Sequence, residues 1–130
     1  MKELYEIAKE NIKNAYVPYS KFRVSAALKL KNGEVYKGVN VENAAYGLCN
    51  CAERSALFAA YSNGVRKDDI ESILVYTDQE HYVSPCGSCR QVISELMPQD
   101  ATVFLATSKG DIKEIKNKDL LPFGFSSEDM

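Results

Sequence analysis

The sequence lacks any long apolar run, and it lacks a clear excess of charge of either sign. No stretch approaches the roughly 18 apolar residues that a membrane-spanning helix requires, and the first residues begin an amphipathic pattern rather than a signal peptide. The formal net charge is −2, whereas proteins that bind a phosphate backbone usually cluster Lys and Arg. These absences argue against a membrane protein and against a nucleic-acid polymer as partner. A small or neutral ligand is still possible. The cytoplasm is the expected compartment.

Internal repeats, linkers and low-complexity segments are also absent, which predicts a single domain over residues 1–130. A chain of this length buries a core without disulfide bonds, and 45% hydrophobic with 26% charged residues is typical of a globular protein. Disulfides are rare in the cytosol, so the four cysteines favour metal binding or catalysis over cross-links.

Hydrophobic periodicity predicts the element order α-β-β-α-β-α-β-β. Helices are expected over 1–15, 51–63 and 86–97, and strands over 22–30, 35–39, 70–76, 102–106 and 112–115. Asn32-Gly33 is a hairpin-turn signal between the first two strands, and the second and third helices have the pattern of crossover connections. The prediction is an α/β fold of three layers, α/β/α, with a mixed sheet of about five strands. The apolar C-terminal segment is expected to dock on its own domain or on a neighbouring subunit.

Two short motifs carry the chemistry: Cys51-Ala52-Glu53-Arg54 and Pro85-Cys86-Gly87-Ser88-Cys89-Arg90. Cys86 and Cys89 are three residues apart in the first turn of a helix, so their sulfurs face the same side. Cys51 begins the other crossover helix, and two such helices starting at one sheet edge bring their first turns together. Three thiolates leave one position open on Zn²⁺, which is typical of a catalytic site rather than a structural one.

Three charged residues flank these thiols. Glu53 is badly placed to bind the same ion as Cys51, but beside the open position it could move protons. Its plainer interpretation is a first-turn acid that favours the helix dipole. Zinc with three thiolates is formally −1, and a cation that donates to the sulfurs would offset this charge. Arg54 is the natural candidate and Arg90 a weaker one; either could instead be an ordinary surface arginine.

Spacing alone leaves two other interpretations of the cysteines open. Cys49 and Cys51, together with Cys86 and Cys89, would make a closed four-cysteine structural zinc site without catalysis. Cys86 and Cys89 alone could form a thioredoxin-like redox pair ahead of a helix.

The motifs match the signature of zinc nucleoside and nucleobase deaminases, which is His or Cys, one residue, Glu, and then Pro-Cys-x-x-Cys. Beyond this three-cysteine match, the chain resembles the small homotetrameric cytidine deaminases of bacteria and animals. The resemblance spans nearly the full chain and includes Tyr19-Ser20-Lys21-Phe22, the segments 40–46, 51–54 and 85–92, and Leu120-Leu121-Pro122.

The resemblance implies hydrolytic deamination of cytidine and 2′-deoxycytidine to uridine and 2′-deoxyuridine, with release of ammonia, in pyrimidine salvage. It implies one Zn²⁺ per subunit, held by Cys51, Cys86 and Cys89, and a homotetramer. Glu53 would take a proton from the attacking water, protonate N3 of the ring, and later protonate the leaving amine.

The resemblance also implies substrate contacts. Asn40 and Glu42 would hold the ribose hydroxyls, while Phe22 would pack on the pyrimidine and the Ala52 backbone would contact the base. Three residues would reach the site of a neighbouring subunit: Ala44, Tyr46 and Phe125. Phe22 and Phe125 could instead be core aromatics. Cys49 has no ligand role in this pattern and is expected to be a buried free thiol. A blasticidin-type deaminase shares the zinc half of the site, but the loop 40–44 favours cytidine.

Overall fold

The structure, a computed structural model that describes residues 1–130, is a five-stranded mixed sheet with helices on both faces. The strands are β1 (Val24–Leu30), β2 (Val35–Val39), β3 (Ile70–Thr77), β4 (Thr102–Ala106) and β5 (Ile112–Lys116), and the helices are α1 (Lys2–Asn11), α2 (Ala52–Ser62) and α3 (Gly87–Leu96). This confirms the predicted three-layer α/β/α class and element order. Predicted ends shift by a few residues: α1 gives way to a 3₁₀ turn at Ile12–Asn14, and β1 begins two residues late. No helix has the length and apolar character needed to cross a bilayer.

The strands lie in the order β2-β1-β3-β4-β5. β1 pairs antiparallel with both β2 and β3, whereas β3 pairs parallel with β4, and β5 returns antiparallel at the edge. Strands β2, β3 and β4 therefore all run in the same direction. Since α2 follows β2 and α3 follows β3, both helices begin at the carboxyl edge of these strands, where binding sites of open α/β sheets form.

Each face of the sheet is covered by a different set of apolar side chains. α1 places Leu4 and Ala8 against Leu74 and Tyr76 on one face. On the other face, α2 and α3 enclose the larger core, which includes Leu57 and other fully buried residues. β1 and β3 are buried along nearly continuous runs of residues, as expected for strands that are covered on both sides.

Gly38 in β2 lets α2 approach the sheet unusually closely. A Cβ atom at this position would lie 2.5 Å from Ala56 N and 2.7 Å from Ala52 O, so any larger residue would collide with helix backbone. The facing residues of the helix are themselves small, with Ala52, Ala56 and Ala60 fully buried. This close contact fixes the position of the N-terminus of α2, which carries the first chemical motif.

The C-terminal segment docks only in part. Leu120 is buried in the main core, as expected for a segment that packs on its own domain. Phe123 and Phe125 are exposed. The backbone of this segment is nevertheless tied to α3, since Gln91 Nε2 donates to Phe125 O at 2.9 Å.

Candidate metal centre and adjoining cavity

Three cysteine sulfurs meet where α2 and α3 begin. Cys51 and Cys86 are the N-cap residues of the two helices, and Cys89 lies in the first turn of α3. The Sγ atoms of these three residues all lie within 4.8 Å of one another. Cys51 Sγ and Cys86 Sγ are 3.7 Å apart. The two helix starts that the topology places at one sheet edge therefore do bring the thiols together.

The sulfur geometry fits a tetrahedral zinc ion. Zn–S bonds of about 2.3 Å place two sulfurs of a tetrahedral site about 3.8 Å apart, and the Cys51–Cys86 separation of 3.7 Å agrees with this value. Partial positive charge at the two helix N-termini favours thiolates at these positions. Three sulfur donors leave the fourth position for another ligand, as in catalytic zinc sites.

Cys49 does not join the cluster. Its Sγ accepts a hydrogen bond from Asn43 N at 3.3 Å, and the potential metal ligands are Cys51, Cys86 and Cys89 alone. This arrangement argues against the closed four-cysteine site. The third thiol beside Cys86 and Cys89 likewise argues against a simple redox pair. The expectation that Cys49 is a buried thiol is wrong: it is free but half-buried, because it lies at the end of an exposed loop.

Arg54 contacts the thiol cluster. Its Nη2 donates to Cys51 Sγ at 3.3 Å, and this interaction raises the pKa of the guanidinium. A hydrogen bond from Cys89, together with those from Arg54 and Cys86, lowers the pKa of Cys51 to about 5. Cys89, which shares its proton with Cys51 and is buried, has a raised pKa. Of these two coupled thiols, Cys51, beside the arginine, is therefore the one that ionises more readily.

Glu53 is a buried carboxyl next to the sulfurs. Only 4% of the residue is exposed. Burial raises its pKa to about 7, and the negative charge of Cys51 adds to this effect, although its own backbone N–H and the Cys89 thiol oppose it. A carboxyl that titrates near neutral pH can both accept and donate a proton under physiological conditions.

A cavity of about 240 Å³ opens beside Glu53 and Cys51. Its lining is mainly apolar, which suits a flat heterocycle, while Asn40 adds a polar group. The residues that line it are Phe22, Val24, Asn40, Cys51, Ala52, Glu53, Val75, Val83, Ser84 and Cys86. The predicted Phe22, Asn40 and Ala52 thus share one cavity with the thiols and the carboxyl. A larger cleft of about 410 Å³, at the hairpin turn of β1 and β2, contains none of these residues.

Asn40 and Glu42 follow β2 and make contacts within the chain. Asn40 Nδ2 donates to Phe22 O at 2.8 Å, and its Oδ1 accepts from Val24 N at 3.0 Å. Glu42 Oε1 accepts from the backbone N–H groups of Tyr19 and Ser20, both at 3.1 Å. Hydrogen bonds from Ser20 and Tyr19 lower the pKa of Glu42, so it is ionised at neutral pH.

Arg90 does not contact the sulfurs. Its guanidinium donates to Pro85 O at 2.9 Å, to Leu120 O at 2.6 Å and to Ser84 Oγ. The expectation that it donates to the thiolates is therefore not met. These hydrogen bonds tie the loop before Cys86 to the C-terminal segment.

The residues expected to reach a neighbouring subunit lie on the surface of the chain. Tyr46 is 89% exposed and Phe125 is 58% exposed, and Ala44 is also exposed. None of the three lines the cavity of its own chain.

Four residues that shape the site were not predicted as site residues from the sequence: Val83, Ser84, Gly38 and Ser20. Val83 and Ser84 line the cavity from an irregular loop, where no periodicity marks them. Gly38 could have been noticed as a glycine inside a strand, which often marks close backbone approach. Ser20 belongs to a motif of the family resemblance, but its hydrogen bond to Glu42 depends on the tertiary fold.

Known proteins share this fold and these motifs. Residues 1–106 match the family described as the cytidine and deoxycytidylate deaminase zinc-binding region. A cytidine deaminase from Halalkalibacterium halodurans is 56% identical over 116 residues, which cover 89% of this chain and 86% of that protein. A solved structure of a cytidine deaminase from Burkholderia pseudomallei has a TM-score of 0.92 at 46% identity, covering 95% of this chain and 98% of that one. A blasticidin-S deaminase from Bacillus cereus is 33% identical over 132 residues, covering 95% of this chain and 91% of that protein.

Proposed function

The chain belongs to the cytidine and deoxycytidylate deaminase family, and we propose that it hydrolyses cytidine and 2′-deoxycytidine to uridine and 2′-deoxyuridine with release of ammonia. The observation that carries this proposal is the buried Glu53 beside the three thiols and the apolar cavity. The expected setting is pyrimidine salvage in the cytoplasm.

Cys51, Cys86 and Cys89 hold one zinc ion in this proposal. When bound, zinc acts as a Lewis acid that activates the attacking water. Arg54 donates to Cys51 and thereby draws electron density from the thiolate. This contact limits the loss of Lewis acidity that three anionic ligands cause.

Glu53 moves the protons of the reaction. As a carboxylate it accepts a proton from the water that attacks C4 of the ring, and it delivers a proton to N3. It then takes the proton of the new C4 hydroxyl and passes it to the departing amine, so that ammonia leaves and the C4 carbonyl forms. Its near-neutral pKa and its burial beside the cavity suit a group that must take and return protons without exchange with solvent.

Phe22 and the backbone of Ala52 contact the pyrimidine, and Asn40 and Glu42 hold the ribose hydroxyls. A carboxylate with an amide matches the donor-rich edge of a sugar. Phe22, Ala52 and Asn40 line the cavity, and Glu42 is two residues beyond Asn40.

The protein assembles as a homotetramer in this proposal, and each site is completed by Ala44, Tyr46 and Phe125 of neighbouring subunits. The exposure of the two aromatic side chains supports this arrangement, because large exposed apolar side chains often mark interaction surfaces. Arg90 contributes indirectly by joining the loop before Cys86 to the segment that precedes Phe125.

The activity assay uses the zinc-loaded wild type and Glu53→Gln, with cytidine, 2′-deoxycytidine and blasticidin S as substrates. We expect loss of cytidine absorbance with matching ammonia release in the wild type. Glu53→Gln should lose at least about a hundredfold in kcat, because proton transfer by a positioned side chain contributes that much or more. Its zinc content should be unchanged.

Two results would contradict the proposal. A folded, zinc-loaded wild type that leaves cytidine intact would exclude a cytidine deaminase. Turnover of blasticidin S with none of cytidine would favour the related activity named for the Bacillus cereus relative.

A further inference from the structure

A strained turn precedes the aromatic wall of the cavity. Lys21 adopts φ +61, in the left-handed region that residues other than glycine rarely occupy. Such a conformation persists only where surrounding contacts hold it, and here Lys21 N donates to Val17 O at 3.1 Å. Since Lys21 directly precedes Phe22, the geometry of this turn determines how the Phe22 ring enters the cavity.

The hydroxyl of Ser20 lies at the centre of this turn. It donates to Glu42 Oε2 and accepts from Phe22 N at 3.0 Å. The direction of each bond is fixed, because a backbone N–H can only donate and an ionised carboxylate can only accept. A single serine hydroxyl therefore connects the carboxylate after β2 with the backbone of the aromatic wall.

The carboxylate of Glu42 is nearly saturated by the same turn. A carboxylate offers about four acceptor positions, and Tyr19 N, Ser20 N and the Ser20 hydroxyl occupy three. About one position remains for a ligand donor. Both backbone bonds go to Oε1, so the Ser20 hydroxyl is the protein donor that holds Oε2. Without it, Oε2 would have to bind water and would lose its fixed direction.

Phe22 is held from both sides. Ser20 Oγ accepts a hydrogen bond from the backbone N–H of Phe22. Asn40 Nδ2 donates a hydrogen bond to the carbonyl oxygen of Phe22 at 2.8 Å. The two peptide groups that flank this residue are thereby fixed by side chains, one from its own turn and one from the end of β2.

We infer that Ser20 is a positioning residue for nucleoside binding, which acts through the Glu42 carboxylate and the Phe22 ring without contacting the reacting atoms. This inference rests on the proposed function, because it treats Glu42 and Phe22 as groups that contact the nucleoside. The Ser20 bonds exist before any ligand binds, so they lower the ordering cost of binding equally in the ground state and in the transition state. Removing them affects KM rather than kcat.

The test compares wild type, Ser20→Ala and Ser20→Thr in steady-state kinetics with cytidine. Ser20→Ala should raise KM roughly tenfold, the effect of losing a charge-assisted hydrogen bond in a partly solvated position, with kcat within about threefold of wild type. Ser20→Thr keeps the hydroxyl and should restore most of the affinity. In a Glu42→Gln background, Ser20→Ala should raise KM by less than about threefold further, because the effects of substitutions at interacting residues are not additive.

The matched control is Asn32→Ala in the turn between β1 and β2. Asn32 Oδ1 accepts from Glu34 N at 2.9 Å, two residues on, as Ser20 accepts from Phe22 N. This turn lies at the opposite end of the strands, so the control measures the general cost of losing a turn bond. We expect KM to be unchanged in Asn32→Ala.

Several outcomes would overturn the inference. These are a KM within about twofold of wild type in Ser20→Ala, a fall in kcat at constant KM, or no rescue by threonine. Unfolding of Ser20→Ala while Asn32→Ala stays folded would also overturn it, since Ser20 would then be a stability residue.

An inert wild type would defeat the proposed function, whereas hydrogen exchange tests separately whether Ser20 holds the turn before Phe22. The Phe22 amide should exchange faster in Ser20→Ala while amides in α2 are unaffected. Equal exchange at Phe22 would contradict the inference.

Discussion

At the scale of single residues, the guanidinium of Arg54 is the cation that touches the sulfur cluster. Its Nη2 lies 3.3 Å from Cys51 Sγ, and its buried Nε has no partner. Replacing it with glutamine should lower kcat by about 10- to 100-fold, as is typical when a group that orients or polarises a metal ligand is lost. The fold should persist, since Arg54 is only half-buried.

Kinetics with zinc content and thermal unfolding would check this prediction. Arg66→Gln is the control, because Arg66 donates to the backbone oxygens of Tyr61 and Val65 and is remote from the thiols. Full activity in Arg54→Gln would show that the thiolate charge needs no compensation from this residue.

The buried carboxyl of Glu53 makes the stability of the metal-free protein depend on pH. Its folded-state pKa of about 7 exceeds the ordinary value of 4.5. Between these values the folded state binds more protons than the unfolded state, so the contribution of Glu53 to stability falls as pH rises from about 4.5 to 7. Zinc-free Glu53→Gln should therefore match zinc-free wild type near pH 4 and exceed its unfolding free energy by about 3 kcal/mol near pH 8.

Urea unfolding in the presence of a chelator at the two pH values measures this difference. Glu6→Gln, at an exposed position on α1, should show no such pH-dependent gap. A constant difference between Glu53→Gln and wild type would mean that Glu53 titrates normally in the folded chain.

The sequence predicted the thiols and Glu53 well because their placement follows from short-range rules. Two cysteines three residues apart share a helix side, and two crossover helices share a sheet edge. The contacts of Ser20 and Arg90 were not predictable in this way. Ser20 bonds to a residue 22 positions away and Arg90 to one 30 positions away, and no local pattern encodes such pairs.

At the scale of elements, the close contact between β2 and α2 is set by one glycine. Gly38→Ala would place a methyl group within 3 Å of the backbone at Ala52 and Ala56. Helix backbone cannot yield as a side chain can, so α2 must shift and carry Cys51 and Glu53 with it. We expect at least about a tenfold loss of kcat/KM, because displacements of about 1 Å in a catalytic group are costly, and a loss of stability of about 1 to 3 kcal/mol from overpacking.

Activity, zinc affinity and thermal unfolding of Gly38→Ala test this prediction. Gly47→Ala is the control, since nothing lies within 4 Å of a Cβ at Gly47. Unchanged activity in Gly38→Ala would show that α2 tolerates displacement from the sheet.

The element boundaries illustrate the same division between local and tertiary information. β4 was predicted at its observed ends because a short apolar run between turn signals defines it. α1 was predicted too long, because apolar residues at helical spacing continue through Ile12 although the chain there tightens to a 3₁₀ turn. Periodicity reports which face is buried, but it does not distinguish the last helical turn from a tighter one.

At the scale of the whole molecule, the proposed site draws on more than one chain. Phe125 is exposed, yet its backbone is fixed to α3 by Gln91, and Arg90 ties the preceding segment to the loop before Cys86. The backbone of the C-terminal segment therefore has a defined position, while more than half of Phe125 is left uncovered by its own chain. A neighbouring subunit of a homotetramer would cover this ring, and sedimentation should give four times the chain mass of 14.5 kDa.

Mixed assemblies test this sharing of residues directly. Glu53→Gln subunits lack the proton shuttle but keep Phe125, whereas Phe125→Ala subunits keep Glu53 but cannot supply the ring to a neighbour. If the ring acts across the interface, sites that combine Glu53 of one chain with Phe125 of the other are complete.

Mixed assemblies that contain both variants can be purified through a different tag on each. Their kcat/KM, divided by the number of subunits that keep Glu53, should rise from the value of the Phe125→Ala protein toward that of wild type. Pairing Phe125→Ala with a Glu53→Gln/Phe125→Ala double variant supplies no ring and should give no rise. A value that stays at the Phe125→Ala level in both assemblies would place Phe125 outside the neighbour's site, and the tail would then be only a packing element.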